Sequence, residues 1–148
     1  LDLDSFDALA VPGGFGKTGF YTDALSEPFL AVIRHFADRR QPVASVCVAS
    51  LALGAAGALA GRTATVYHQP GGKRRAQLES YGARFVDQAL VIDGNLISST
   101  GPGTATEVAF ALLTDLTSEA NSARIRALMR VPRPAAAWWS EPQVPVSS

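Results

Sequence analysis

One cysteine, two histidines and two glycine-rich loops carry the chemistry this sequence has to offer. Cys47 stands where a short apolar run, Val43 to Cys47, gives way to a helix-compatible stretch from Leu51 to Leu59. A residue on such a sharp strand-to-helix turn projects outward, and the unpaired N–H groups of the next helix point toward it and favour negative charge. The pattern predicts a lowered thiol pKa and a thiolate able to attack carbonyl, nitrile-like or peroxide electrophiles. Oxidation to the sulfinate is open to the same sulfur. Free cysteines also serve as small buried hydrophobes, so position alone leaves both readings open.

Gly13 and Gly14 lack a Cβ, which lets backbone N–H groups approach a substrate oxygen; an ordinary glycine turn is the alternative. His68 follows the alternating run Thr63 to Tyr67 and is placed to move a proton near neutral pH, provided it comes within reach of the thiol or substrate. A surface loop histidine is the other reading. His35, beside Phe36 in a helical pattern, reads as a packing residue. Gly71-Gly72-Lys73-Arg74-Arg75 lacks the spacing of a phosphate-binding loop and reads as a solvated basic loop. These residues contain no ligand-spaced pair, so neither a metal nor a cofactor is expected.

The elements that must position these residues follow from periodicity and punctuation. Phe6 to Val11 reads as a strand that ends at Pro12-Gly13-Gly14, and Val43 to Cys47 as a second strand behind Pro42. Between them, Leu25, Phe29, Val32, Ile33 and Phe36 mark one face of a helix that starts near Ser26 and Pro28 and stops at Arg39-Arg40. Thr63 to Tyr67 reads as a third strand, Ala76 to Tyr81 as a short helix, and Ala83 to Val86 and Ala89 to Ile92 as further strands. Asp93-Gly94 signals a hairpin that returns through Asn95 to Ser98. Thr104 and Glu107 fit a capping box before a helix bearing Val108, Leu112, Leu113 and Leu116, and another helix is expected from about Ser122 to Met129. Strands alternating with helices imply an α/β sandwich with a mostly parallel sheet, whose ligands sit at the carboxyl ends of the strands. Gly13-Gly14, Cys47 and His68 all stand at such ends.

Thirteen basic and thirteen acidic side chains cancel, which leaves no strong field to hold nucleic acid or an anionic membrane. A small-molecule partner is expected instead. With one cysteine, no signal-peptide pattern and no apolar run of spanning length, the protein reads as soluble and cytoplasmic. The 148 residues make about one domain, placed at residues 1–131, followed by an irregular arm at 132–148 that contains Trp138-Trp139. The arm could cover the site, pack on a dimer partner or be a floppy tail with two aromatic anchors, and packing is expected.

Four motifs in order, Ala10-Val11-Pro12-Gly13-Gly14, Ser45-Val46-Cys47-Val48-Ala49, Gly57-Ala58-Leu59-Ala60-Gly61-Arg62-Thr63-Ala64-Thr65 and Ser99-Thr100-Gly101-Pro102-Gly103-Thr104, resemble the DJ-one/ThiJ/PfpI superfamily from about Phe6 to Leu116. The resemblance implies a flavodoxin-like three-layer sandwich of the class I glutamine amidotransferase type, usually a homodimer. Cys47 matches its reactive elbow cysteine, Gly14 and Val48 match its backbone oxyanion donors beside Gly13, and His68 matches a nearby histidine. The family normally has an N-terminal βαβ portion carrying an acid that bonds the cysteine, and no such segment precedes Phe6 here. The chain is therefore expected to be a fragment whose sheet a second chain or segment completes.

Superfamily members include glyoxalase-type and proposed deglycase enzymes, isonitrile hydratases, Cys-His peptidases and redox-sensing proteins. Val48 stands where the peptidase and several glyoxalase-like branches have a histidine directly after the cysteine, so a Cys-His triad built at the elbow is excluded and peptidase activity is not expected. The resemblance implies a cysteine-dependent hydrolase or lyase acting on a reactive carbonyl through Cys47. An isonitrile-hydratase-like enzyme is a second possibility, and a non-enzymatic stress-response module that works by Cys47 oxidation is a third.

Overall fold

The computed structural model describes residues 1–143 as a mixed α/β sandwich. Four strands form the main sheet: β1 (Leu9–Val11), β2 (Val43–Ser45), β5 (Leu90–Asp93) and β6 (Leu96–Ser99), in the order β1-β2-β6-β5. β1 pairs parallel with β2 and β2 with β6, whereas β5 and β6 form an antiparallel hairpin turned by Gly94-Asn95, one residue later than the Asp93-Gly94 signal placed it, because Asp93 still pairs with Leu96. The parallel pairs require crossover connections, and the helices supply them.

Side chains alternate between the two faces of the sheet, as the two-residue strand period demands. Val11, Val43 and Leu96 enter one apolar cluster with Ile33, Phe36, Leu51 and Leu53. Ala44, Leu90 and Ile97 enter the other with Val108. Helix α2 (Glu27–Asp38) covers the first face through Leu30, Ile33 and Phe36, three apart, and packs on α3 (Ser50–Ala55). Pro28 lies in its first turn, where a missing N–H costs nothing. Helix α5 (Ala105–Leu116) covers the second face.

Several elements differ from their sequence-based bounds. β1 is shorter than Phe6 to Val11 because Leu3–Ser5 closes a 3-10 turn, with Asp2 accepting from the Asp4 N–H. The loop after Gly14 holds α1 (Phe20–Ala24), too short for a readable period. The expected third strand is regular only at β3 (Thr63–Ala64), which pairs parallel with β4 (Arg84–Phe85) in a separate two-stranded sheet. Side chains take over where the ladder stops: the Thr63 N–H donates to Asp93 Oδ2 at 2.7 Å and the Thr65 N–H to Ser98 Oγ at 2.9 Å. The segment thus leads to His68 beside the main sheet without joining it.

The Thr104/Glu107 capping box does not form. Glu107 instead receives both arms of the Arg126 guanidinium from α6 (Glu119–Leu128), and Thr104 donates to Gly101 O at 2.6 Å. Arg126 also stacks 4.0 Å over Phe110 and donates to Pro132 O, so one buried side chain joins α5, α6 and the start of the arm. The arm is partly regular: α7 (Ala136–Ser140) carries Trp138 and Trp139 edge to face, and the Gln143 N–H donates to Asp87 Oδ1 at 2.9 Å. Residues 144–148 of the expected arm lie outside the described residues. No described helix is long and apolar enough to cross a membrane.

Breaking this ion pair strands a buried charge, whereas replacing both partners does not. Arg126→Met is expected to cost about 3–4 kcal/mol in urea unfolding. The double variant Glu107→Leu/Arg126→Met should cost clearly less than Arg126→Met alone.

Candidate functional site

Three pieces of backbone converge on Cys47. β2 ends at Ser45, the Val46 N–H donates to Val11 O at 3.2 Å, and the Tyr67 N–H donates to Cys47 O at 3.2 Å. Between those two bonds the chain turns sharply, and Cys47 takes φ +62°, in the left-handed region. For a residue with a Cβ that conformation costs about 1 kcal/mol, tolerated where the surroundings over-determine it. A 3-10 turn, Cys47–Ala49, then leads into α3.

The two glycines after β1 are dictated by this turn. A Cβ on Gly13 would lie 2.8 Å from Cys47 Cβ and 2.9 Å from Val46 O, and one on Gly14 would strike the Phe20 ring at 2.5 Å. Their absence lets the Pro-Gly-Gly backbone lie directly against the cysteine.

Gly13, Gly14, Cys47, Val48 and His68 line one cavity of about 590 Å³. Phe15, Tyr67, Lys73 and Arg74 line it as well. His35 lies outside it, edge-on to Phe36 and 3.3 Å from Asp4. Among the described residues no three His, Cys, Asp or Glu side chains gather as a metal cluster would require.

The expected lowering of the Cys47 thiol is not what the surroundings produce. Burial pushes it above the ordinary thiol range, because a half-buried thiolate loses its water. A hydrogen bond from the Val48 N–H and the Arg74 guanidinium act the other way without overcoming burial. Arg74 lies 4.4 Å over the Tyr21 ring, and burial likewise pushes the Tyr21 hydroxyl up, with Arg74 opposing. Lys73 and Arg74 thus belong to the cavity wall, not to a detached solvated loop.

His68 is fixed on three sides. Its Nδ1 is 2.8 Å from Val66 O, its Nε2 is 3.2 Å from Asp87 Oδ1, and its ring meets Phe85 edge-on at 4.9 Å. The first contact assigns a proton to Nδ1, since a carbonyl oxygen can only accept. Nε2 is buried and lacks the alignment of a proper hydrogen bond to Asp87 despite the short distance. Neither Asp87 nor Arg74 carried a sequence signal: one sits in a turn between strands, the other in a basic run that resembles any solvated loop.

A DJ-1/PfpI fold with a cysteine elbow is what these features define, and the DJ-1/PfpI family profile matches residues 1–115, most of the chain. The chain belongs to that family. It is 36% identical over 105 residues to a deglycase of Thermococcus kodakarensis, a match covering 70% of this chain and 58% of that protein. It is 40% identical over 114 residues to an isonitrile hydratase of Pseudomonas putida, covering 75% of this chain and 45% of that one. Among solved structures it resembles DJ-1beta of Drosophila melanogaster, with a TM-score of 0.75, 29% identity and coverage of 88% of this chain and 67% of the other. The chain spans about half the length of the curated relatives it matches.

Positive φ at Cys47 reverses the usual order of small substitutions. Cys47→Gly should be more stable than Cys47→Ala by about 1 kcal/mol in thermal or urea unfolding, since glycine alone escapes the left-handed penalty. Gly13→Ala is expected to cost about 1–3 kcal/mol and to slow alkylation of Cys47, because the elbow must shift to admit the methyl group.

The raised thiol also sets a pH dependence. From the free-thiol value upward the unfolded chain loses its proton first, so the Cys47 contribution to stability falls as pH rises toward the folded value. Cys47→Ala should flatten that alkaline decline in urea midpoints.

Proposed function

We propose that this chain is the cysteine-bearing part of a small-molecule enzyme that acts on a reactive carbonyl, such as a 2-oxoaldehyde, through Cys47. The observation that carries this reading is the left-handed elbow that sets Cys47 in the wall of a cavity directly against the Gly13-Gly14 backbone. Similarity to enzymes named deglycases supports it.

In this scheme the Cys47 thiolate adds to the aldehyde carbon, a C–S bond forms, and the carbonyl electron pair moves to oxygen. Backbone N–H groups of Gly13, Gly14 and Val48 are the proposed donors to that oxyanion. Protonation of the oxygen yields a thiohemiacetal. Moving the C1 proton to C2 converts it to a thioester of the 2-hydroxy acid, and water releases the acid and restores the thiol. The overall change is redox-neutral, with Cys47 as nucleophile; His68 lines the cavity, and its proposed role as proton carrier requires its imidazole to leave Val66 O or Asp87, which hold its two nitrogens. The enzyme is proposed to be a cytoplasmic homodimer, with no metal, no cofactor and no peptidase activity.

Consumption of methylglyoxal by the protein and by Cys47→Ser tests this. A loss of at least about 100-fold is expected, as for removal of a nucleophile that forms a covalent intermediate. Equal rates for the two would remove the proposal. The similarity to the isonitrile hydratase supports a second reading, in which the same sulfur adds to an isonitrile carbon and water then gives the N-substituted formamide. Turnover of an isonitrile without turnover of methylglyoxal, both lost in Cys47→Ser, selects that one.

A further inference from the structure

Besides the Cys47 thiol and the Tyr67 hydroxyl, the titratable side chains that face the Cys47 cavity are all potential cations. Lys73, Arg74 and His68 line it, and among the described residues no Asp or Glu does. The whole sequence is electrically neutral, so this positive wall is a local arrangement and not an overflow of general basicity. Arg74 spends one N–H on Gln77 Oε1 at 2.9 Å and one face of its guanidinium on Tyr21. Its ion-pairing capacity is not consumed by these neutral partners: among the described residues no carboxylate lies within salt-bridge distance of Arg74 or of Lys73. By contrast the neighbouring Arg75 is paired with Glu79 and stacked on Phe85.

The cations stand on a different element from the nucleophile. Gly13-Gly14 and Cys47-Val48 come from the ends of β1 and β2, whereas Lys73 and Arg74 open α4 (Arg74–Ser80). A bound molecule that places its electrophilic carbon at the sulfur therefore presents its remaining portion to a wall that holds a partly buried, uncompensated guanidinium. Phe15, 76% exposed, stands at the same cavity and adds an apolar contact without charge.

We propose that the Cys47 cavity selects electrophiles that carry a negative group, carbonyl compounds of the 2-oxo-acid type such as glyoxylate, with Arg74 as the specificity-determining residue and Lys73 as its lesser second. This rests on Cys47 being the nucleophile of the site. The sulfur adds to the carbonyl carbon, the carbonyl electron pair moves to oxygen and takes a proton, and the carboxylate of this thiohemiacetal pairs with the guanidinium, whose planar fork suits a two-oxygen anion; the later hydrogen shift to a thioester is open to 2-oxoaldehydes and not to glyoxylate, which stops at the thiohemiacetal. Neutral 2-oxoaldehydes still react but lack that pairing.

Iodoacetate and iodoacetamide read the selectivity without requiring turnover. In both reactions the thiolate forms a C–S bond and iodide leaves with the C–I electrons; the reagents differ in carrying a carboxylate or a neutral amide. The ratio of their second-order rate constants at Cys47, measured on the whole chain by mass spectrometry at one pH and low salt, is divided by the same ratio for 2-mercaptoethanol. A preference for iodoacetate of about 10-fold over the free thiol is expected for a partly buried cation near the reagent. Raising the salt toward 1 M should erode it.

Arg74→Gln should bring the ratio close to that of the free thiol, Arg74→Lys should keep much of it, and Lys73→Gln should lower it less. Any change in the thiol pKa of these variants affects both reagents alike and cancels. A ratio equal to that of the free thiol, unchanged in Arg74→Gln, overturns the selectivity while leaving the nucleophile intact. Failure of Cys47 to react with either reagent in the native protein overturns both the selectivity and the cysteine reading beneath it.

Discussion

The left-handed turn at Cys47 is the constraint on which the rest of the site depends. An L-residue stays at φ +62° only when its neighbours leave nowhere else to go. Here the Val46 N–H is bound to Val11, the Cys47 carbonyl is bound by Tyr67, and the space a side chain on Gly13 would need is already filled by the cysteine. Parallel pairing of β1 with β2 sets the first of these contacts. The path of the chain from β3 toward His68 sets the second. The elbow is thus a product of the sheet, and its strain is held by two backbone bonds, one to β1 and one to the segment that follows β3.

The electrostatics of the thiol follow from where that turn lies. A sulfur placed against backbone is partly stripped of water, which favours the neutral thiol, and one backbone donor and one guanidinium work against that preference. The turn into α3 begins as a single 3-10 turn, so few amides are aimed at the sulfur. A ligand that brings its own negative charge to Arg74 would alter this balance, as would one that displaces remaining water from the cavity. The protonation of the Cys47 thiol is therefore set jointly by the fold and by whatever occupies the cavity.

Asp87 links the site to the distant end of the chain. One oxygen, Oδ1, faces the His68 imidazole and accepts the Gln143 N–H. The Arg126 side chain ties the beginning of the same arm to α5 and α6 through Glu107 and Pro132. The Trp138-Trp139 segment is consequently held at both ends, and its second anchor is shared with a wall residue of the cavity.

Much of this was legible in the residues alone. Alternating apolar runs bounded by Pro and Gly define the strands, the three-and-four spacing of Phe29, Val32, Ile33 and Phe36 marks α2, and the Pro-Gly-Gly, elbow and Gly-Pro-Gly-Thr motifs define the family; that Leu30 joins Ile33 and Phe36 as the buried face was decided by packing. Those signals are local, because each depends on neighbours a few positions apart. The sequence determined that Cys47 stands at a strand-to-helix turn, although the strand stops at Ser45 and Cys47 already opens the 3-10 turn. Tertiary structure decided that its thiol is raised instead of lowered, since burial depends on what packs over the sulfur. It also decided that Glu107 clamps Arg126 instead of capping α5, that Lys73 and Arg74 face the cavity, and that Asp87 meets both His68 and Gln143. Each of those contacts joins residues brought together only by the crossovers and returns of the folded chain, and no periodicity or turn signal encodes such a meeting.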